Sequence, residues 1–183
     1  MKLCFVTVGA TAPFEKLVEQ VLSPQFLETL AQRHYTHLLI QYGKHGSEAF
    51  HSFAIGNQSD YGLTVGGFDS KPSIDQELLM TTERGPQDRG LIISHAGTGS
   101  VLSALRLGTP LIVVPNPDLA DNHQEQLGQI LQKYKYVICS SVQELGVLTV
   151  QRAELQKAEA YDSRYGRKDG FVDCMADELG FLD

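Results

Sequence analysis

Apolar positions along the chain switch repeatedly between strand-like runs and a period near 3.6, and these switches predict alternating strands and helices. "KLCFVTVG" is a strand pattern closing on Gly9, and "PFEKLVEQVL" then puts Phe14, Leu17, Val18, Val21 and Leu22 on one helical face. Pro13 and Pro24 suit first helical positions, and Ser23 suits the cap of a helix over 24–32. "HLLIQYG" predicts a second strand, "SEAFHSF" a short helix, "GLTVGGF" a third strand and "SIDQELLM" a further helix. "LIIS" and "PLIVVP" are almost wholly apolar, as in strands covered on both faces. Between them "SVLSALRL" predicts a helix that stops at Gly108, a natural left-handed cap. Another helix is expected from near Asp121 to about Lys133, with Asp121 and Gln124 spaced as a capping-box variant, and "KYVICS" completes the strands. The order predicts an α/β fold, a parallel sheet with helices on both faces.

The pattern changes after residue 150. "QRAELQKAEAYDSRYGRKDG" is strongly polar, and "FVDCMADELGFLD" returns to apolar residues at helical spacing, with Phe171, Val172, Met175, Leu179 and Leu182 as its apolar set. We therefore expect one domain over 1–150 and a helical tail over 151–183, which either docks on a partner or packs against its own sheet. "TTERGPQDRG" has the composition of a surface loop.

Composition narrows the class. A length of 183 residues suits one domain with a tail. The uninterrupted apolar stretches are strand-sized, and "MKLCFVTVG" lacks the layout of a signal peptide, so a cytosolic protein without membrane insertion is expected. Cys4, Cys139 and Cys174 are odd in number and form no C-x-x-C pair, which fits reduced thiols. A formal net charge of -7 argues against nucleic-acid binding and against unaided docking on anionic lipid.

The candidate chemistry lies in "SHAGTGS", residues 94–100, where a buried strand turns into a helix. Helix amino termini at the carboxyl ends of parallel strands hold anions, and Gly97 and Gly99 would let main-chain amides approach one and let the loop take positive φ. "GATAPF", from Gly9, repeats the arrangement after the first strand, and two such loops are an expected way to hold one diphosphate. A dinucleotide fingerprint would need glycine where Leu102 stands, and no P-loop motif occurs, which disfavours NAD and ATP. Glycines in a tight turn also serve geometry alone. Of the histidines, His34, His37, His45 and His51 read as surface residues.

"SHAGTGSVLSALRLGTPLIVVPNPDLADNHQEQLGQIL" resembles the sugar-nucleotide-binding half of B-type glycosyltransferases. "VTVGATAPFEKLV" and "GGFDSKPS" narrow the resemblance to the family of small catalytic subunits of the eukaryotic UDP-N-acetylglucosamine (UDP-GlcNAc) transferase that adds the second sugar to dolichol-linked precursors. The resemblance implies a Rossmann-like sheet forming one half of such an enzyme. It implies UDP phosphates near Gly9, Thr11, Ser94, His95, Ala96, Gly97, Thr98, Gly99 and Ser100. It also implies a donor sugar near Asp121, Asn122, His123 and Gln124, the Gln124 amide both donating to and accepting from hydroxyls. His95 and Gln124 are the implied catalytic pair. Ser103 stands where bacterial relatives place a ribose-binding carboxylate.

No metal or other cofactor is inferred, since Asp118 and Asp121 do not form D-x-D. The implied partners are UDP-GlcNAc, a dolichol-linked acceptor and a membrane-anchored, acceptor-binding subunit that recruits the chain to the cytosolic face of the endoplasmic reticulum. A non-catalytic UDP-sugar-binding module remains the alternative.

Overall fold

The fold was obtained as a computed structural model, which describes residues 1–9, 12–56, 61–82, 89–119 and 123–162. Six strands run in chain order as β1 (Leu3–Thr7), β2 (His37–Gln41), β3 (Thr64–Phe68), β4 (Leu91–Ser94), β5 (Leu111–Val113) and β6 (Ile138–Cys139). They form one sheet in the order β3-β2-β1-β4-β5-β6, with every neighbouring pair parallel. Seven helices are described: α1 (Glu15–Val21), α2 (Pro24–Gln32), α3 (Ser47–Gly56), α4 (Asp75–Met80), α5 (Thr98–Leu107), α6 (His123–Lys133) and α7 (Val147–Asp162).

Alternation along β1 divides the core. Cys4 and Val6 join Leu17, Val18, Phe26, Leu30 and Val150, from α1, α2 and α7, on one face. Leu3 and Phe5 join Leu78, Val101, Ala104, Leu127 and Leu131, from α4, α5 and α6, on the other. The predicted α1 face is fully inside, Phe14, Leu17, Val18, Val21 and Leu22 all being buried. The expected two-faced parallel sheet is therefore the fold.

Local chemistry sets the helix ends. Ser23 caps α2 by accepting the Phe26 N–H, with Pro24 opening the helix as expected. Ser23→Ala should lower stability by about 1 kcal/mol, read by chemical denaturation. Gly108 closes α5 in the left-handed conformation. Pro13 departs from expectation: it lies before Phe14, the N-cap of α1, and its carbonyl accepts the Asn116 side chain, which keeps it in the loop. α5 starts at Thr98 rather than Ser100, so Gly99 belongs to the first helical turn.

α7 crosses the 150/151 boundary at which the tail was expected to begin. The change in polarity there is real, but Val150 and Ala153 remain core residues, and Glu154 gathers Lys2, Arg33 and Tyr35 around it. The apolar residues of 171–183, including Cys174, and most of the loop at 81–90 lie outside the described residues. Cys4 and Cys139 are free thiols, each pushed up in pKa by burial.

Candidate functional site

The sheet order turns at β1 and β4: successive strands run one way from β1 through β2 to β3, and the other way from β4 through β5 to β6. Such a switch opens a crevice beyond the carboxyl ends of the two central strands. β1 delivers Thr7, Val8 and Gly9 to it; β4 delivers Ser94, followed by His95, Ala96 and Gly97.

His95 is fixed by the end of β1. Its backbone N–H and its Nδ1 both reach the Thr7 carbonyl oxygen, at 3.1 and 3.2 Å. A carbonyl only accepts, so Nδ1 carries the proton, and a neutral ring leaves Nε2 as an acceptor. Burial pulls the His95 pKa below its ordinary value, and the bond to Thr7 opposes this only in part. The neutral form therefore dominates at pH 7.

Two glycines make room for that ring. A methyl group on Gly9 would lie 2.6 Å from His95 Cε1 and Nε2, and one on Gly97 would lie 2.5 Å from Nε2. Gly9 also has a φ of +77°. The positive φ expected at Gly97 and Gly99 falls instead on Ala96, at 70°, while Gly97 has a φ of -66°. A left-handed alanine is strained by roughly 1–2 kcal/mol. Here its methyl group is buried with Val101 and Ala104, which offsets part of that cost.

Gly97 is the N-cap of α5, and no side chain caps this end or places an acid in its first turn. The amides of Thr98, Gly99 and Ser100 therefore belong to a helix terminus suited to an anion. Beyond its own helix backbone and chain neighbours, a Cβ on Gly99 would meet nothing within 4 Å among the described residues, which leave that surface open.

The loop after β5 forms another wall. Val114 N–H donates to the Ser94 carbonyl at 2.8 Å, which carries the chain to Asn116. Buried Asn116 donates through Nδ2 to the Pro13 carbonyl at 2.8 Å, and its Oδ1 accepts the Asp118 N–H at 3.1 Å. An exposed Lys16–Asp118 ion pair at 3.0 Å adds a second link, from the first turn of α1 to the loop after β5.

Gln124 Oε1 accepts the Asn116 N–H at 3.0 Å. This revises the expected capping-box role, because the side chain reaches back to the β5 loop. It uses one of the two lone pairs of the amide oxygen and leaves Nε2 to donate to a ligand hydroxyl. His123, exposed, opens α6. Thr11, Asp121 and Asn122 lie outside the described residues.

Under these loops runs a polar row: Thr7 is level with Gln41 on one side and Ser94 on the other. All three are buried. Ser94 Oγ has no hydrogen-bond partner among the described residues, and its burial makes Ser94 a floor residue of the site. Thr7, Gln41 and Asn116 were not anticipated. A usable signal existed in "CFVT" and "LLIQ", where an apolar strand ends in one polar residue, as "LIIS" does. Among the described residues, no group of three or more His, Cys, Asp or Glu side chains could hold a metal ion. No described helix is long and apolar enough to cross a membrane.

Residues 3–165 match the model of the glycosyltransferase family 28 C-terminal domain. The chain is 36% identical over 171 residues to the UDP-N-acetylglucosamine transferase subunit ALG13 of Saccharomyces cerevisiae, covering 83% of this chain and 84% of that one. With the ALG13 subunit of Yarrowia lipolytica the identity is 35% over 138 residues, covering 75% of this chain and 64% of the other. An NMR solution structure of ALG13 superposes with a TM-score of 0.61 at 35% identity, over 83% of this chain and 84% of that one. The crystal structure of Acinetobacter baumannii MurG gives 0.59 at 16% identity, covering 94% of this chain but 48% of MurG, a likeness of fold to one half of a larger enzyme. With its parallel six-stranded sheet and this site at the switch point, the chain belongs to the glycosyltransferase family 28 C-terminal domain family.

Proposed function

We propose that the chain is the donor-binding, catalytic subunit of a heteromeric transferase that moves GlcNAc from UDP-GlcNAc to GlcNAc-diphosphodolichol, forming a β-1,4 linkage. The observation that carries this reading is the His95 ring seated between Gly9 and Gly97, beside the side-chain-uncapped terminus of α5. The names of the ALG13 relatives supply the sugar nucleotide.

In this reading the diphosphate lies against the first-turn amides of α5, with Gly99 allowing close approach. Those amides and the helix dipole stabilise the negative charge that grows on UDP as the sugar leaves. Neutral His95 offers Nε2 as an acceptor to a donor hydroxyl, and Gln124 Nε2 donates to the sugar. Thr11, Asp121, Asn122 and His123 complete the donor contacts.

The fold matches one half of a B-type enzyme and the ALG13 relatives are named as subunits, so in this reading another subunit supplies the acceptor side. That subunit is membrane-anchored, because a dolichol-linked acceptor is held in a bilayer, and it recruits this chain to the cytosolic face of the endoplasmic reticulum. Holding the acceptor hydroxyl in line with the anomeric carbon is a positioning effect on the order of several kcal/mol, which one domain alone does not supply.

The test is transfer of radiolabelled GlcNAc to a lipid-linked acceptor, with and without the co-expressed membrane subunit. The isolated chain should bind UDP-GlcNAc and transfer sugar only when the partner is present. Rapid transfer by a verified monomer would refute the split-enzyme reading. Full transfer by a complex carrying His95→Ala would remove His95 from the chemistry.

A further inference from the structure

We infer that Gln41, on β2, is a positioning residue that sets the His95 ring through Thr7. This rests on the donor-site reading above for its consequence, although the geometry of the relay is independent of it.

The relay runs from buried Gln41 and Thr7 to half-buried Gly9 and His95. Thr7 Oγ1 donates to Gln41 Oε1 at 2.5 Å, which directs the hydroxyl hydrogen toward β2 and leaves the oxygen's lone pairs facing elsewhere. That oxygen accepts the Gly9 N–H at 3.3 Å. The Gln41 backbone carbonyl accepts the Val8 N–H at 3.2 Å, so the same residue holds the two amides that follow Thr7, one directly and one through the hydroxyl. Gly9 is in turn one of the two residues against which the imidazole lies, and the Thr7 carbonyl takes both N–H groups of His95.

The chemistry of the amide matters here. A buried Thr7 hydroxyl needs an acceptor, and the side-chain carbonyl of Gln41 supplies one without placing a charge beneath a neutral imidazole. An apolar side chain of similar length would free the hydroxyl to rotate. Its hydrogen would then compete with the Gly9 N–H for the space on that side, and the loop that clamps His95 would lose its fixed register. Glycine cannot hold that register by side-chain packing, so the hydrogen bonds carry it.

The experiment uses the full chain, labelled with nitrogen-15 at histidine, and compares wild type with Gln41→Met, Thr7→Val and Thr7→Ser. In wild type the His95 nitrogens should show a single tautomer, protonated at Nδ1. Gln41→Met and Thr7→Val should each give mixed tautomers, whereas Thr7→Ser, which keeps the hydroxyl, should retain the wild-type signature. Their amide spectra report that each variant is folded, and UDP-GlcNAc titrations should show about tenfold weaker binding for the first two. An unchanged tautomer in folded Gln41→Met and Thr7→Val would overturn the relay. Mixed tautomers with unchanged UDP-GlcNAc affinity would uphold the relay and count against the donor-site reading instead.

Discussion

Gly97→Val is expected to weaken UDP-GlcNAc binding by roughly 30-fold or more, because it displaces His95 from inside the protein. The first atom of the new side chain would sit 2.5 Å from Nε2, and the ring cannot retreat toward Gly9, where a Cβ-sized gap is already filled by the same imidazole. Forcing such an overlap typically costs about 1–3 kcal/mol, and 2 kcal/mol is close to 30-fold in affinity when the displaced group belongs to the site. Gly99→Ala provides the contrast. Apart from its chain neighbours and the backbone of its own helix, no atom of the described residues lies within 4 Å of the added methyl group, and the residue stands in the first turn of α5, so this variant should keep or slightly raise the melting temperature. Weaker UDP-GlcNAc binding by folded Gly99→Ala would therefore come from the ligand's own approach to the helix terminus. Calorimetric titration of both variants separates the two roles, and equal affinity in Gly97→Val and wild type would take His95 out of the donor site.

Glu154→Leu should have the larger effect on stability. Glu154, half-buried on α7, accepts from Lys2 Nζ at 2.8 Å, Arg33 Nε at 2.9 Å and the Tyr35 hydroxyl at 3.0 Å, tying the last described helix to α2 and the start of β1. Removing the carboxylate leaves two cations facing each other, at a cost of about 2 kcal/mol after allowing for solvent screening, or a melting temperature lower by roughly 4–8 °C. Burial alone would push the Glu154 carboxyl up, but the hydrogen bonds from Lys2, Arg33 and Tyr35 and the Lys2 charge outweigh it and hold the pKa below the ordinary value. A depressed folded-state pKa stabilises the protein fully above the unfolded value of about 4.3, and the contribution is lost as pH falls through the folded value. The gap in melting temperature between wild type and Glu154→Leu should therefore be wide at pH 7 and narrow at about pH 3. An equal gap at both pH values would mean that the packing of the side chain, and not its charge, holds α7.

The elements were legible because their signals are local. The apolar face of α1, the Ser23 cap, the Gly108 stop and the runs at β4 and β5 each depend on residues within two helical turns or one strand, and the structure keeps them. The glycine loop was legible as a strand-to-helix turn for the same reason, since a strand end, two glycines and a helix start follow one another in seven residues. The division near residue 150 shows the limit of such reading. Polarity changes there, yet the chain continues as one helix because Val150 and Ala153 pack in the core and Glu154 accepts hydrogen bonds from partners 119 to 152 residues away in sequence.

The sequence by itself determined the alternation of strands and helices, the place of the glycine loop between β4 and α5 and the absence of a dinucleotide fingerprint, since each rests on spacing along the chain. Only the tertiary structure decided why the glycines are there. Gly9 and Gly97 are 88 residues apart, and nothing local says that one imidazole will fill the space beside both. Register across the sheet likewise put Gln41, Thr7 and Ser94 in one row and turned Gln124 toward Asn116. Parallel pairing brings together strand ends that the chain separates by a whole helix, so contacts at the switch point are set by the sheet and not by any stretch of sequence.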